Sequence, residues 1–190
     1  WLNVLRYVPF RVIAATMTAM FICFAFSPWF IRALQKKQIG QVIRDEGLIP
    51  EAHIKKRGTP TMGGALLLMA VLGSTILWCD LRNVFVLAAT AVTAGYGVIG
   101  YLDDYLKIRQ KSSKGLAARY KLLGQFLVAL AVMIYVFNAK EHVPADWWEI
   151  RARLGVPFLA FAKHPIVLPP VGYILFAVLV IVATSNAVNF

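Results

Sequence analysis

The residues that could do chemistry fall in three short polar clusters of an otherwise apolar chain. The first is Lys56-Arg57-Gly58-Thr59-Pro60-Thr61-Met62-Gly63-Gly64. Pro60 suits the first turn of a helix, where its missing N–H costs nothing, and a Thr hydroxyl caps the free amides there. A helix N-terminus with two cations beside it is a good anion site. An ordinary capped helix with flanking basic residues accounts for the same string.

The second cluster is Gly100-Tyr101-Leu102-Asp103-Asp104-Tyr105-Leu106-Lys107. Two adjacent carboxylates repel each other, and at the C-terminal end of a helix they also oppose its dipole. Neighbouring helical positions point about 100° apart, so the two carboxylates can divide the work. One can meet a cation or act as a base while the other orients a partner. Lys107, four residues after Asp103, offers the plainer alternative of an i,i+4 ion pair. The third cluster is Ser185-Asn186-Ala187-Val188-Asn189. Asn186 and Asn189 share a helix face, as a binding pair or as interhelical hydrogen-bonding groups.

These clusters need elements to hold them, and composition says which. The chain has 190 residues, 59% of them apolar, with a mean hydropathy of +0.67. Soluble domains carry roughly 45 to 50% apolar residues, so the expected fold is an all-α polytopic membrane protein. Five stretches approach the roughly 20 apolar residues that a helix needs to cross a bilayer: about 12–34, 62–78, 84–102, 120–137 and 171–190. The first is too long, and too rich in Phe and Met, to be a cleaved signal peptide. Only Asp80-Leu81-Arg82-Asn83 separates the second from the third. Ala94, Gly95, Gly97 and Gly100 give the third a face that a neighbouring backbone can approach closely. Trp29, Trp78, Tyr101, Tyr120 and Tyr173 fall near helix ends, as interface aromatics do.

The 20 Lys and Arg against 9 Asp and Glu give a net charge of +11, which in a soluble domain would suggest a nucleic-acid partner. Their placement says otherwise. Arg32, Lys36, Lys37, Arg44, Lys55, Lys56 and Arg57 lie in or beside 35–61, and Lys107, Arg109, Lys111, Lys114, Arg119 and Lys121 lie in or beside 103–119. The positive-inside rule makes these two loops cytoplasmic and the N-terminus external. No nucleic-acid partner is expected. All three polar clusters then meet the same membrane face. The connection 138–170, with Trp147 and Trp148, reads as an outer loop carrying a short interfacial helix. The whole of 1–190 is read as one membrane domain.

Other chemistries lack their residues. Cys23 and Cys79 both sit in apolar runs, which leaves no disulfide framework and no Cys-based zinc site. His53, His142 and His164 show no metal-ligand spacing, and Gly63-Gly64 lies in an apolar helix rather than after a strand, so no phosphate-binding glycine loop is present.

At these motifs the sequence resembles the phospho-N-acetylmuramoyl-pentapeptide transferases, within the wider superfamily of polyprenyl-phosphate N-acetylhexosamine-1-phosphate transferases. The likeness runs through Gly40-Gln41-Val42-Ile43-Arg44, the Lys56 to Gly64 string, Gly97-Val98-Ile99-Gly100-Tyr101-Leu102-Asp103-Asp104 with Lys107, Lys114-Gly115-Leu116, and Asn186-Ala187-Val188-Asn189. The Asp pair is shared across the superfamily, while the full Lys-Arg-Gly-Thr-Pro-Thr-Met-Gly-Gly string points to the muramoyl branch.

The resemblance implies that undecaprenyl phosphate attacks the sugar-linked phosphate of UDP-N-acetylmuramoyl-pentapeptide, giving a lipid-linked diphosphate and UMP, with Mg2+ required. It implies that Asp103 deprotonates or aligns the lipid phosphate with Asp104 as its catalytic neighbour. Lys56 and Thr61 would bind substrate phosphate or nucleotide, Lys107 and Lys111 the diphosphate, and Asn186 and Asn189 would line the nucleotide pocket. It also implies a homodimer in the bacterial inner membrane, with the active face cytoplasmic.

Two departures qualify the likeness. Where the family continues past its second Asn with Leu-Thr-Asp-Gly-Leu-Asp-Gly, this sequence has Phe190 and stops. A family member has about ten membrane helices by this resemblance, so a fragment is expected, inactive alone, with further catalytic and metal-binding Asp residues beyond Phe190. Leu48-Ile49 also looks like an insertion before Pro50-Glu51-Ala52-His53. An N-acetylglucosamine-1-phosphate transferase, or a non-catalytic scaffold or transporter fragment, are the competing readings.

Overall fold

The computed structural model of the chain describes residues 2–36, 63–110, 115–139, 143, 145–155 and 166–187. A 3-10 turn, Leu2–Arg6, leads into α1, Val8–Lys36. Then come α2, Gly63–Trp78; α3, Val84–Arg109; and α4, Ala118–Asn138. A short helix α5, Ala145–Ile150, and two strands, β1 Arg153–Leu154 and β2 Ile166–Val167, precede α6, Pro170–Ala187.

Four of these helices, α1, α3, α4 and α6, are long and apolar enough to cross a membrane; α2, with 16 residues, is a shorter apolar helix. Little of their apolar surface is covered by protein. Phe24 is 74% exposed, Phe21 69% and Leu179 63%, values that water would penalise and lipid would not. The chain is an all-α polytopic membrane protein.

The described residues form two compact units, the first made of 1–80 and 93–121, the second of 81–92 and 122–190. In the first, α1 and α2 lie antiparallel along each other. Trp78, the last residue of α2, donates its indole N–H to Thr18 Oγ1 at 2.9 Å and meets Phe10 edge-on at 6.1 Å. At the other end of the pair, Cys23, Ser27, Phe30, Ile31 and Leu34 face Gly63, Leu66 and Leu67 across an apolar groove. Thr16 and Thr18 return their hydroxyls to the carbonyls four residues back, a common way of satisfying a polar side chain in a helix. On the small-residue face of α3, the Leu68 side chain of α2 fills the space where a Cβ on Gly97 would stand, so what approaches there is a side chain rather than a backbone; at Gly100 the same position is open.

In the second unit Val84, Val136 and Ala139 make a small buried core backed by Ala88, Val132, Val143 and Trp147. Asn83 starts α3 by accepting the N–H groups of Phe85 and Val86 on its side-chain oxygen, an N-cap. Pro170 stands at the first position of α6, where its missing donor is not needed. In the segment read as an outer loop, α5 supplies the expected short helix. The strands are an addition: Arg153 pairs with Val167 and Leu154 with Ile166, antiparallel. Arg151 stacks on Trp148 and Phe137, its guanidinium carbon 3.6 Å and 4.8 Å from the two ring centres.

Candidate active site

The Asp pair owes its setting to where α3 stops. The apolar stretch ends at Leu102, yet the helix continues through Asp103 and Asp104 to Arg109, so the segment expected to open a loop at 103 is helical for seven more residues. At about 1.5 Å per residue, that adds roughly two turns beyond the hydrocarbon-length stretch. The basic residues Lys107 and Arg109 in its last turn explain the extension, because cations at a helix C-terminus complement its dipole. Tyr101 and Tyr105, one turn apart, stack their rings at 6.3 Å on the same stretch.

Lys107 gathers the carboxylates. Its Nζ donates to Asp103 Oδ2 at 2.6 Å and lies 3.5 Å from Asp104 Oδ1. The i,i+4 ion pair offered as the plainer alternative is therefore formed, and it is more than a surface pair. Asp103 Oδ1 also accepts the backbone N–H of Leu116 at 2.7 Å, from the segment that leads into α4. The Lys121 charge, on the first turn of α4, acts on the same carboxylate. Both oxygens of Asp103 are thus engaged and its side chain is 16% exposed, whereas Asp104 is 34% exposed. An ammonium held between two carboxylates is a fixed cation whose remaining N–H can meet a phosphate oxygen.

Asn186 belongs to the second unit. Its Nδ2 donates to Gln125 Oε1 on α4 and to the Val182 carbonyl, both at 2.8 Å. A carbonyl can only accept, so the orientation of the amide is fixed by Val182. Gln125 is 4% exposed, which makes this a buried interhelical hydrogen bond. Both amide donors of Asn186 are committed, and among the described residues none is seen to hold its Oδ1. Lys56, Thr61, Lys111 and Asn189 lie outside the described residues.

The structure thus brings together Asp103, Asp104 and Lys107. It adds three participants that residue type alone did not single out: Leu116 through its amide, Gly115 beside it, and Lys121. The only signal for the first two was the Lys114-Gly115-Leu116 string. Among the described residues no group of three or more His, Cys, Asp or Glu is placed to hold a metal ion. Hard oxygen donors are nevertheless of the kind Mg2+ takes, since it commonly uses one or two carboxylates completed by phosphate and water.

Residues 86–190 match the family model described as glycosyl transferase family 4. A phospho-N-acetylmuramoyl-pentapeptide-transferase of Sorangium cellulosum (strain So ce56) is 64% identical over 189 residues, 100% of this chain and 50% of the relative. Proteins of the same name from Desulfatibacillum aliphaticivorans and Citrifermentans bemidjiense (strain ATCC BAA-1014 / DSM 16622 / JCM 12645 / Bem) are 46% and 43% identical, each match covering 98% of this chain and 49% of the relative. The chain spans about half the length of the curated relatives it matches. By the family match across the Asp pair, α4 and α6, and by its likeness to these transferases along its whole length, the chain belongs to glycosyl transferase family 4.

Proposed function

We propose that the full-length protein transfers phospho-N-acetylmuramoyl-pentapeptide from its UDP carrier to undecaprenyl phosphate. An oxygen of the lipid phosphate attacks the phosphorus attached to the sugar. The bond from that phosphorus to the oxygen of UMP breaks, and UMP leaves with the electron pair. The observation that carries this reading is the Asp103–Lys107–Asp104 cluster, set just past the apolar stretch of a membrane helix in a chain that resembles muramoyl transferases from end to end. A lipid phosphate reaches such a level by lateral diffusion, and a nucleotide sugar reaches it from the cytoplasm.

Phosphoryl transfer asks a protein for positioning and charge neutralisation more than for covalent help. Lys107 supplies a fixed cation for the diphosphate. Asp103, held on both oxygens, aligns Lys107 and the lipid phosphate, and Asp104 is the carboxylate with room to meet substrate. Mg2+, where bound, would neutralise the diphosphate; Asp104 is the described residue best placed to contribute an oxygen to it. Lys56, Thr61 and Lys111 complete the phosphate and nucleotide contacts in this reading, as does Asn189, with Asn186 contributing its Oδ1. The basic loops face the cytoplasm, the chain spans the bacterial inner membrane, and the enzyme works as a homodimer.

The test is a full-length homologue in which these 190 residues replace the matching half, assayed with each UDP-sugar. Transfer from UDP-N-acetylmuramoyl-pentapeptide is the expected result; transfer of N-acetylglucosamine phosphate alone sinks the muramoyl assignment. Asp103→Asn and Asp104→Asn should each cut UMP release by about 100-fold or more, the scale of a lost transition-state contact. Intact release in both would favour a scaffold or transporter.

A further inference from the structure

The backbone at Gly115 lies against Asp103 and Lys107 more tightly than a side chain at that position would allow. A Cβ placed on Gly115 would stand 2.2 Å from Asp103 Oδ1, 2.7 Å from Lys107 Cε and 2.9 Å from Asp103 Cγ. No real Cβ sits that close to a carboxylate carbon or oxygen, so a side chain here forces something to move. What can move is the Asp103 carboxylate and the Lys107 stem, because both are the free ends of flexible side chains, while the neighbouring Leu116 amide is the donor that holds Asp103 Oδ1. The glycine requirement is therefore local to the chemistry. It protects the position of two side chains and contributes little to holding the helices together.

The carboxylate is gripped from three sides. Lys107 Nζ takes Oδ2 at 2.6 Å, the Leu116 N–H takes Oδ1 at 2.7 Å, and the bare Cα of Gly115 closes the space next to Oδ1. A backbone amide adds orientation that a side chain alone cannot give, since it is fixed by the start of α4, where the Ala117 carbonyl accepts the N–H groups of Tyr120 and Lys121. Asp104, one residue on, is approached by Lys107 at 3.5 Å, and among the described residues no backbone amide is seen to grip it as Leu116 grips Asp103.

We propose that Gly115 and the Leu116 amide are positioning elements of the transferase site, a clamp that fixes Asp103 and, through it, aims Lys107 at the diphosphate. The clamp rests on the transferase reading for its purpose but on geometry alone for its existence, and the two are tested separately. In the full-length homologue carrying this half, Gly115→Ala should lower kcat by about 100-fold, the cost of displacing a catalytic group by roughly an ångström. The KM for the UDP-sugar should change by less than about threefold, because the loss falls on the transition state. The thermal midpoint should move by less than about 2 °C. Gly73→Ala, on α2 with open space around it, serves as the glycine-to-alanine control and should behave as the parent. The second measurement needs no activity: hydrogen exchange at the Leu116 amide should be slow in the parent and about tenfold faster or more in both Gly115→Ala and Asp103→Ala.

A Gly115→Ala enzyme that keeps kcat within about twofold of the parent overturns the proposal, as does one whose loss of rate follows a matching loss of stability. Leu116 exchange unchanged by Asp103→Ala overturns it as well. If the parent homologue transfers nothing to undecaprenyl phosphate while Leu116 exchange responds as described, the transferase reading falls and the clamp stands.

Discussion

The hydrogen bond between Asn186 and Gln125 decides how much of the third polar cluster is architecture. Within the second unit, Gln125 is buried on α4 and receives the Asn186 amide at 2.8 Å. Interhelical hydrogen bonds in membranes average about 0.6 kcal/mol by double-mutant cycles and reach about 1.7. Burial of Gln125 and the fixed Val182 carbonyl that accepts the other Asn186 N–H argue for the upper part of that range. Gln125→Leu leaves one Asn186 N–H without its partner, a loss of about 1–2 kcal/mol that the added apolar contact only partly offsets. Gln125 has further interactions of its own, so the single substitution overstates the bond, and the cycle with Asn186→Ala removes that excess.

The measurement is unfolding of the full-length homologue in mixed micelles for the parent, both single variants and the double. A coupling energy of about 1 kcal/mol is expected, and one below about 0.2 kcal/mol refutes the bond as a structural element. The same four proteins separate structure from binding. If Oδ1 of Asn186 also serves the nucleotide, Asn186→Ala lowers kcat/KM by about tenfold or more while Gln125→Leu changes it by less than about threefold. Equal losses in the two would place the effect in the helix contact and remove Asn186 from the pocket.

Two further outcomes follow from packing and capping. Gly97→Val should destabilise the first unit by about 1–3 kcal/mol, the usual cost of overpacking, because its Cβ would meet Leu68; Gly100→Ala, into open space, should leave the unfolding midpoint unchanged. Asn83→Ala removes the oxygen that receives the Phe85 and Val86 amides and should cost about 1 kcal/mol, read as earlier unfolding, with Asn83→Asp restoring most of it.

The apolar stretches announced the helices because a bilayer leaves a backbone few other solutions, and length alone then marks the spans. Their ends were harder to read. Hydropathy stops at Leu102, but helix stability does not: Lys107 pairs with the Asp side chains one turn before it and, with Arg109, suits the C-terminal dipole, so α3 runs on to Arg109. The two-residue strands at Arg153 and Ile166 gave no periodicity to detect, since a pair of residues cannot show an alternation. In the site, Asp103, Asp104 and Lys107 were legible because charge beside an apolar helix is costly and calls for a reason. Gly115 and Leu116 were not, because their contribution is a missing side chain and a backbone N–H, and neither leaves a chemical mark in the residue letter. Asn186 carried two meanings from the start, and the bond to Gln125 realises the interhelical one without using its oxygen.

The electrostatics of the cluster show why one lysine must do so much. Asp103 and Asp104 stand near the C-terminal, negative end of α3, next to each other, where both the dipole and their mutual repulsion disfavour charge. Lys107 answers both terms at once because, four and three residues on, it reaches both side chains. The Leu116 amide adds a second favourable contact to Asp103 alone, and this is what makes the two carboxylates unequal. Even so, two carboxylates and one ammonium leave the cluster anionic, and the proposed substrates bring phosphate charges to it. In the proposed reading, the basic residues concentrated in sequence at 35–61 and 103–121, and a divalent cation where bound, would supply the missing positive charge. Removing Lys107 therefore does more than break a salt bridge: it returns the Asp pair to an unfavourable field and takes away the cation proposed to receive the diphosphate.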